Sequence, residues 1–486
     1  MDKYDVIIIG AGIGGLTCGC YLSELGFNVL IIEQHHTPGG YCTSFSRGKY
    51  RFDTSVHYLG SVKRGTLSVI LDELDLKKQL KFKQFDPTDK IIMPDNVTYV
   101  RASPFDTIEE FKKSFPEEKL NIEKFFTKIL KENILAIRTE IANLTFSSLL
   151  NSYFNDDRIK ATLSALLANM GTSPDKTSAL AGVIFLKEFI LDPGYYPAGG
   201  IQAFTDTLVN KLKKNKGELI LSAKVTKIVT KEKKVTGVLL EDGRTLNSRI
   251  VVSGADATLT YKNLLSDEDT KESSVVESLK ASSSAAALYI GINVDLSSLI
   301  KEECNIWHIG SYDIIGLLSS LNKNLLEKEL PYILVYFPSL HDESVKLGSN
   351  TIQALINAPF ESKDFWKQQK TELIAKMFQK VKKIIPGLKD EHVDVMEGAS
   401  PYTFYRYTLN HNGAIYGWES TLEQISSKLV PQLSSLEGLI LAGHWCTSGI
   451  GGEGGISGVA TLGRNAARIA SGYLKKDWPW QMIILK

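Results

Sequence analysis

The chain has 486 residues, 43% of them hydrophobic and 23% charged. That balance belongs to a folded protein with a sizeable core, and it excludes both a disulfide-held miniprotein and a globally disordered chain. Lys plus Arg (56) nearly cancels Asp plus Glu (55), and the net charge of +1 supplies no field for a phosphate backbone, so no nucleic-acid partner is expected.

The first apolar run, Val6 to Ile9, is β-branched throughout, as in a strand buried on both faces of a parallel sheet. It passes straight into Gly10-Ala11-Gly12-Ile13-Gly14-Gly15 and not into a small-residue cleavage site, so no signal peptide is expected. Helical spacing then runs through Leu16 and Tyr21-Leu22 to Gly26, and a second buried strand, Asn28 to Ile32, closes with Glu33. This is a βαβ unit with a dinucleotide fingerprint. Gly10 permits the tight turn, Gly12 the approach of a pyrophosphate, and Gly15 close helix–strand contact, while the helix start at Ile13 and Gly14 offers N–H groups and a positive dipole. Glu33, with Gln34 beside it, sits where a carboxylate accepts hydrogen bonds from ribose hydroxyls and repels a 2′-phosphate.

A second glycine pair, Gly39-Gly40, follows at once, whereas nicotinamide domains continue with further βα units. Such a pair lets the backbone run beside the diphosphate and ribityl chain of FAD, with Tyr41 next in line. His35-His36 precede it in a loop and are expected to be solvated.

From Lys63 to about Pro197 apolar residues recur at three and four, as in Phe125, Phe126, Ile129 and Leu130, which predicts a mostly helical insertion. Its oiliest stretch, Ala179 to Leu191, is broken by Lys187 and Glu188 and falls short of the roughly 20 apolar residues that span a bilayer. Gly199-Gly200 opens a helix over 201–214, followed by short strands at Leu219–Leu221, Val225–Thr230, Val235–Leu240 and Ile250–Ser253. Longer strands are predicted at Ala285–Val294, Tyr332–Phe337 and Ile352–Ala358, with an amphipathic helix over 365–385. The last buried strand, Leu439 to Ala442, runs into Gly443-His444-Trp445, a second glycine-rich loop (449–455) and a closing helix through Ala470. Five scattered cysteines without CxxC or HExxH spacing predict free thiols in a reducing, cytoplasmic compartment and no metal site.

The string Pro38-Gly39-Gly40-Tyr41-Cys42-Thr43-Ser44-Phe45, with Asp53-Thr54-Ser55-Val56-His57-Tyr58-Leu59-Gly60, resembles the second motif of the flavoproteins that include phytoene desaturase, carotenoid isomerase and retinol saturase. The Asp-Thr-x-x-His-Tyr-x-Gly form is most similar to the retinol saturase branch. Tyr196-Pro197-Ala198-Gly199-Gly200 with Ala223-Lys224-Val225 resembles the middle FAD segment, and Leu441 to Trp445 with Gly451 to Gly458 the closing flavin motif. Two positions depart from many relatives: Tyr41 where Arg follows the glycine pair, and His444 where Asp follows the glycine of the last strand.

The resemblance implies an α/β fold in which a Rossmann-type FAD-binding domain (1–62, 198–270, 432–472) interleaves with an α+β substrate domain of mixed sheet plus helices (63–197, 271–431). FAD contacts are implied at Gly10, Gly12, Ile13, Gly14, Gly15, Glu33, Gln34, Gly39, Gly40, Tyr41, His57, Val225, Gly443, His444, Gly455 and Ile456. His57, just after the second glycine motif, is the candidate acid or base, and Tyr405, Arg406 and Tyr416 are candidate substrate contacts. Phe125, Phe126, Phe154 and Phe185 are candidates for a lipid tunnel, against plain core. The expected activity is saturation or desaturation of a lipophilic polyene. A redox-neutral polyene isomerase, an amine oxidase of the same FAD fold and a non-enzymatic FAD-stabilised scaffold remain open. With one nucleotide fingerprint, the electron donor or acceptor is a substrate, oxygen, a quinone or a diffusible carrier. The tail 473–486, with two Trp among lysines, is open to two readings, packing against its own domain or peripheral contact with the inner membrane face.

Overall fold

The computed structural model describes residues 4–326, 329–345, 348–427, 429–447 and 455–475, with no side-chain description at 322–324 and 426–427. Two seven-stranded sheets organise it. At the centre of the first lies Tyr4–Ile9, whose Val6, Ile7 and Ile8 are fully buried between layers on both faces. It pairs in parallel with Val29–Ile32 on one side and Thr245–Ser253 on the other, and Glu218–Ile220 and Leu439–Leu441 extend the parallel array. Val225–Lys231 and Lys234–Leu240 add an antiparallel meander to the first half of Thr245–Ser253.

Ile13–Glu24 is apolar nearly all round because ten of its twelve residues are buried. Its neighbours come too close for side chains. A Cβ on Gly15 would lie 2.2 Å from the carbonyl oxygen of Gly10, and one on Gly463 of the closing helix Gly455–Leu474 would lie 2.3 Å from that of Gly14. The helix thus rests backbone to backbone on both strand and helix.

The second sheet is antiparallel except for one pair and runs in the order Val393–Ala399, Ser284–Ile292, Asn350–Ala358, Tyr332–Tyr336, Asn305–Ile309, Asp89–Ile92, Val97–Val100. Every residue of Ser284–Ile292 and Asn350–Ala358 is buried, which requires cover on both faces. Lys363–Ile384 supplies one cover: Ile374 occupies the space a side chain on Gly398 would need. The hairpin Ser44–Asp53 supplies part of the other, with the Tyr50 ring against Gly291. Tyr50 and Phe52 therefore belong to the core of the second sheet, although they lie within the 1–62 segment.

The insertion 63–197 is not purely helical. Six helices between Pro104 and Leu191 are accompanied by strands at Phe82–Gln84, Asp89–Ile92 and Val97–Val100. The last two form a hairpin across Pro94-Asp95-Asn96 and extend the second sheet, a pairing that helical spacing downstream obscured. Among the described residues no helix is long and apolar enough to cross a membrane.

Candidate active site

A cavity of about 1040 Å³ starts at the carboxyl ends of the parallel strands and reaches the second sheet and the helical layer. Ligands of open α/β sheets bind at that end because loops and helix N-termini converge there. Ile9-Gly10, Ile32-Glu33, Gly254 and Gly443 all open onto it.

The narrow end is built of backbone. Gly10 turns with φ +94°, and Gly12 at φ −70° begins the helix with open space, nothing lying within 4 Å of where its Cβ would stand. Gly39 N–H donates to Ala11 O at 2.8 Å, so the second glycine pair lies directly beside the first turn. Glu33 accepts from Ala11 N–H and His35 N–H, both at 2.8 Å, which fixes its carboxylate at the wall. Val225 closes the side opposite, and the closing helix presents Gly455 and Ile456 at its N-terminus. A helix N-terminus, a side-chain-free floor and one fixed carboxylate suit a pyrophosphate and a ribose, so these residues fit FAD.

The wide end is built of side chains. Tyr41 and His444 stack with ring centroids 6.2 Å apart, and the Tyr41 hydroxyl donates to Ala414 O at 2.9 Å. Burial pushes the Tyr41 phenol up to about 12 and the His444 imidazole down to about 4, so both are neutral in ordinary buffers. Burial likewise lowers His57 to about 4, with Asn169 working against the shift. Nδ2 of Asn305 lies 2.9 Å from His57 Nδ1 and 3.4 Å from an Asp89 carboxyl oxygen. An amide NH2 donates only, so the His57 ring proton sits on Nε2.

Asp89 anchors this arrangement from beneath. It is fully buried and accepts from Trp307 Nε1 (2.8 Å), Tyr58 O–H (2.9 Å) and Thr88 O–H (2.9 Å). Burial raises its carboxyl to about 6 despite those donors. Asp89 and Asn305 face each other across the one parallel pair of the second sheet.

All sixteen residues expected to contact FAD line this one cavity, and so does Tyr416. Tyr405 and Arg406 do not. On the helix Pro401–Thr408, Tyr405 packs on Phe360 and Tyr402, while Arg406, a turn-fraction further round, is exposed to solvent. The wall uses Tyr407 to Asn410 instead, where Leu409 at φ +56° reverses the chain. Of the four candidate tunnel aromatics only Phe185 reaches the cavity; Phe125, Phe126 and Phe154 are core, packed on one another. Gly451 to Gly454 of the closing motif lie outside the described residues. Sequence reasoning missed Asn169, Asn305 and Asp89, which carry no local motif.

The family profile described as flavin containing amine oxidoreductase matches residues 13–470. The chain belongs to that family. As a flavin-containing oxidoreductase it uses FAD. Among curated relatives of this flavoprotein are All-trans-retinol 13,14-reductase of Danio rerio, 24% identical over 88% of this chain and 80% of the relative, and Prolycopene isomerase 2, chloroplastic, of an Oncidium hybrid cultivar, 25% identical over 93% and 81%. A third is 1-hydroxycarotenoid 3,4-desaturase of Flavobacterium sp., 26% identical over 85% and 88%. These are the branches that the second glycine motif resembles. An oxidoreductase from Methanosarcina mazei shares the fold of this flavin oxidoreductase with TM-score 0.69 at 16% identity, covering 95% of this chain and 99% of that one. Cyclohexylamine Oxidase from Brevibacterium oxydans shares it with TM-score 0.65 at 15% identity, covering 97% and 100%.

Proposed function

We propose that this FAD-dependent oxidoreductase saturates or desaturates carbon–carbon double bonds of a lipophilic conjugated polyene. The observation that carries the reading is the continuity of the cavity: the backbone-lined FAD end opens without a break into a wall of Val56, Met170, Ile184, Phe185, Phe189 and Ile415. An apolar wall of that kind favours a hydrocarbon chain by desolvation and leaves few polar groups to mismatch. The retinol reductase and hydroxycarotenoid desaturase relatives support the same class.

When bound, FAD takes or gives a hydride, and the protein supplies orientation and electrostatics. Neutral Tyr41, His444 and Tyr416 present flat rings that hold a polyene by stacking. His57 lines the cavity with its ring proton on Nε2, and Asn305, itself tied to Asp89, keeps the ring from turning. At neutral pH that imidazole is a hydrogen-bond donor, and it steadies charge on a carbon skeleton better than it releases a proton. Its role is therefore positioning and electrostatic.

Photoreduced enzyme incubated anaerobically with a panel of polyenes gives the decisive readout, flavin reoxidation together with product mass. A gain of two hydrogens identifies a saturase, and a loss with the oxidised enzyme a desaturase. Unchanged mass identifies the second reading, redox-neutral isomerisation, which the prolycopene isomerase relatives favour. If no polyene reacts and a primary amine does, the polyene reading falls. The five buried cysteines, none in a disulfide among the described residues, support a cytoplasmic location, and the composition of the tail 473–486, of which 476–486 lie outside the described residues, supports contact with the inner membrane face.

A further inference from the structure

Lys187 and Glu188, the two residues that break the oily stretch Ala179–Leu191, both line the cavity. A carboxyl group in an apolar wall is costly unless something meets it. Ser61 does so on one side: it is fully buried and donates its hydroxyl to Glu188 Oε2. The other carboxyl oxygen takes no hydrogen bond among the described residues. Burial raises the Glu188 carboxyl above the usual carboxylate range, the direction expected of a group waiting for a partner.

The backbone is bent to make this contact. Ser61 sits at φ +60°, in the left-handed region that serine rarely adopts, and is held there by its N–H donating to Asp192 O at 2.8 Å. Gly65 backs the pair so closely that a Cβ there would stand 2.7 Å from Ser61 Oγ and 3.5 Å from Glu188 Oε2. Strain of this kind persists where surrounding structure imposes it, commonly beside bound ligands.

We propose that Glu188 and Ser61 form a hydroxyl-binding subsite, and that the substrate is a lipophilic alcohol whose apolar chain runs from there toward His57. The inference rests on the polyene reading above and adds the end group. A pure hydrocarbon would strand the carboxyl without a partner, and a carboxylate end group would meet a second carboxyl. A cationic end group would approach Lys187, the ammonium beside Glu188 on the same wall. A hydroxyl satisfies the open oxygen without either penalty. Ser61 follows His57 by four residues, which keeps their Cα atoms within about 14 Å of each other.

The test titrates the oxidised holoenzyme with three probes and follows the flavin absorbance: all-trans-retinol, the hydrocarbon with methyl in place of its CH2OH, and retinylamine. Wild type is expected to bind the alcohol about tenfold tighter than the hydrocarbon, the scale of one buried hydrogen bond. Glu188→Leu should erase that preference, weakening the alcohol and tightening the hydrocarbon now that no carboxyl is stranded. Ser61→Gly removes the hydroxyl at a position whose backbone suits glycine, so it folds, and it should erode the same preference. Equal affinity for alcohol and hydrocarbon in wild type, a preference that survives both substitutions, or tightest binding of the amine overturns the subsite. A flavin that responds to none of the three probes overturns the polyene reading itself, and the subsite with it.

Discussion

The two sheets meet the cavity by different means. The parallel sheet offers main chain: turns, N–H groups and glycines whose missing side chains are the binding surface. The antiparallel sheet and its helices offer side chains, held by a buried network whose members come from strands far apart in sequence. A main-chain surface is specified by where a Cβ is forbidden, and a side-chain surface by what each group is bonded to. The first tolerates almost no change in shape and the second tolerates none in hydrogen bonding, so each breaks in its own way.

The largest effect is expected at Gly15. An added methyl would stand 2.2 Å from a backbone oxygen that cannot swing aside, so Gly15→Ala should destabilise the protein by about 3 kcal/mol or more, measured by chemical denaturation of the apoprotein. Gly12 sharpens the contrast within the same motif. Its backbone suits alanine and nothing lies within 4 Å, so Gly12→Ala should fold as wild type yet bind FAD about tenfold to a hundredfold more weakly by fluorescence titration. If both variants unfold alike, the open space at Gly12 is not the FAD floor.

On the side-chain surface, Asn305→Leu should free the His57 ring and leave Asp89 short of a donor. FAD content should hold while kcat falls about tenfold to a hundredfold, and His57→Gln, which keeps a donor, should lose less. Glu33→Ala removes the fixed carboxylate and should weaken FAD by about tenfold in a dilution series.

The smallest expected effect is on acid stability. His57 and His444 are both lowered to about 4 from an ordinary value of 6.5, so the folded protein binds fewer protons than the unfolded chain between those values. Stability is then present above about pH 6.5 and is lost as pH falls toward 4. Asp89, raised to about 6 from 3.8, works the other way: its burial penalty fades as pH falls through 6 toward 4. His444→Gln should therefore move the acid-unfolding midpoint downward, and Asp89→Asn should steepen the loss between pH 6 and 4, both followed by circular dichroism.

What could be read from the sequence follows the same division. Gly10 to Gly15, Glu33 and Gly39-Gly40 are legible because a dinucleotide fingerprint fixes residue types at local spacing, and the strands around them carry continuous apolar runs. Asn305 and Asp89 are 216 residues apart and become neighbours only through strand pairing, so no spacing announces them. The strand Asn305–Ile309 is five residues long, and the hairpin Asp89–Val100 sits at the start of a segment dominated by helical spacing. The resemblance expects Tyr405 and Arg406 at the cavity, whereas the eight-residue helix Pro401–Thr408 leaves both out of its lining. Lys187 and Glu188 were visible as interruptions, but only the fold turns an interruption into a wall.

The order in which the strands lie also sets when they can meet. Tyr4–Ile9 leaves the ribosome about 240 residues ahead of its neighbour Thr245–Ser253, and the contact of Gly14 with Gly443 waits longer still. At about 5–20 residues per second, the first strand waits roughly 12–48 s for that partner. Throughout that interval a hydrophobic edge stands open, which calls for chaperone cover during synthesis. Gly443, one of the residues proposed to hold FAD, follows Leu439–Leu441, so cofactor loading is expected only once that strand has been made, and a chain truncated before Leu439 should accumulate without colour however well its first glycine motif is spelled.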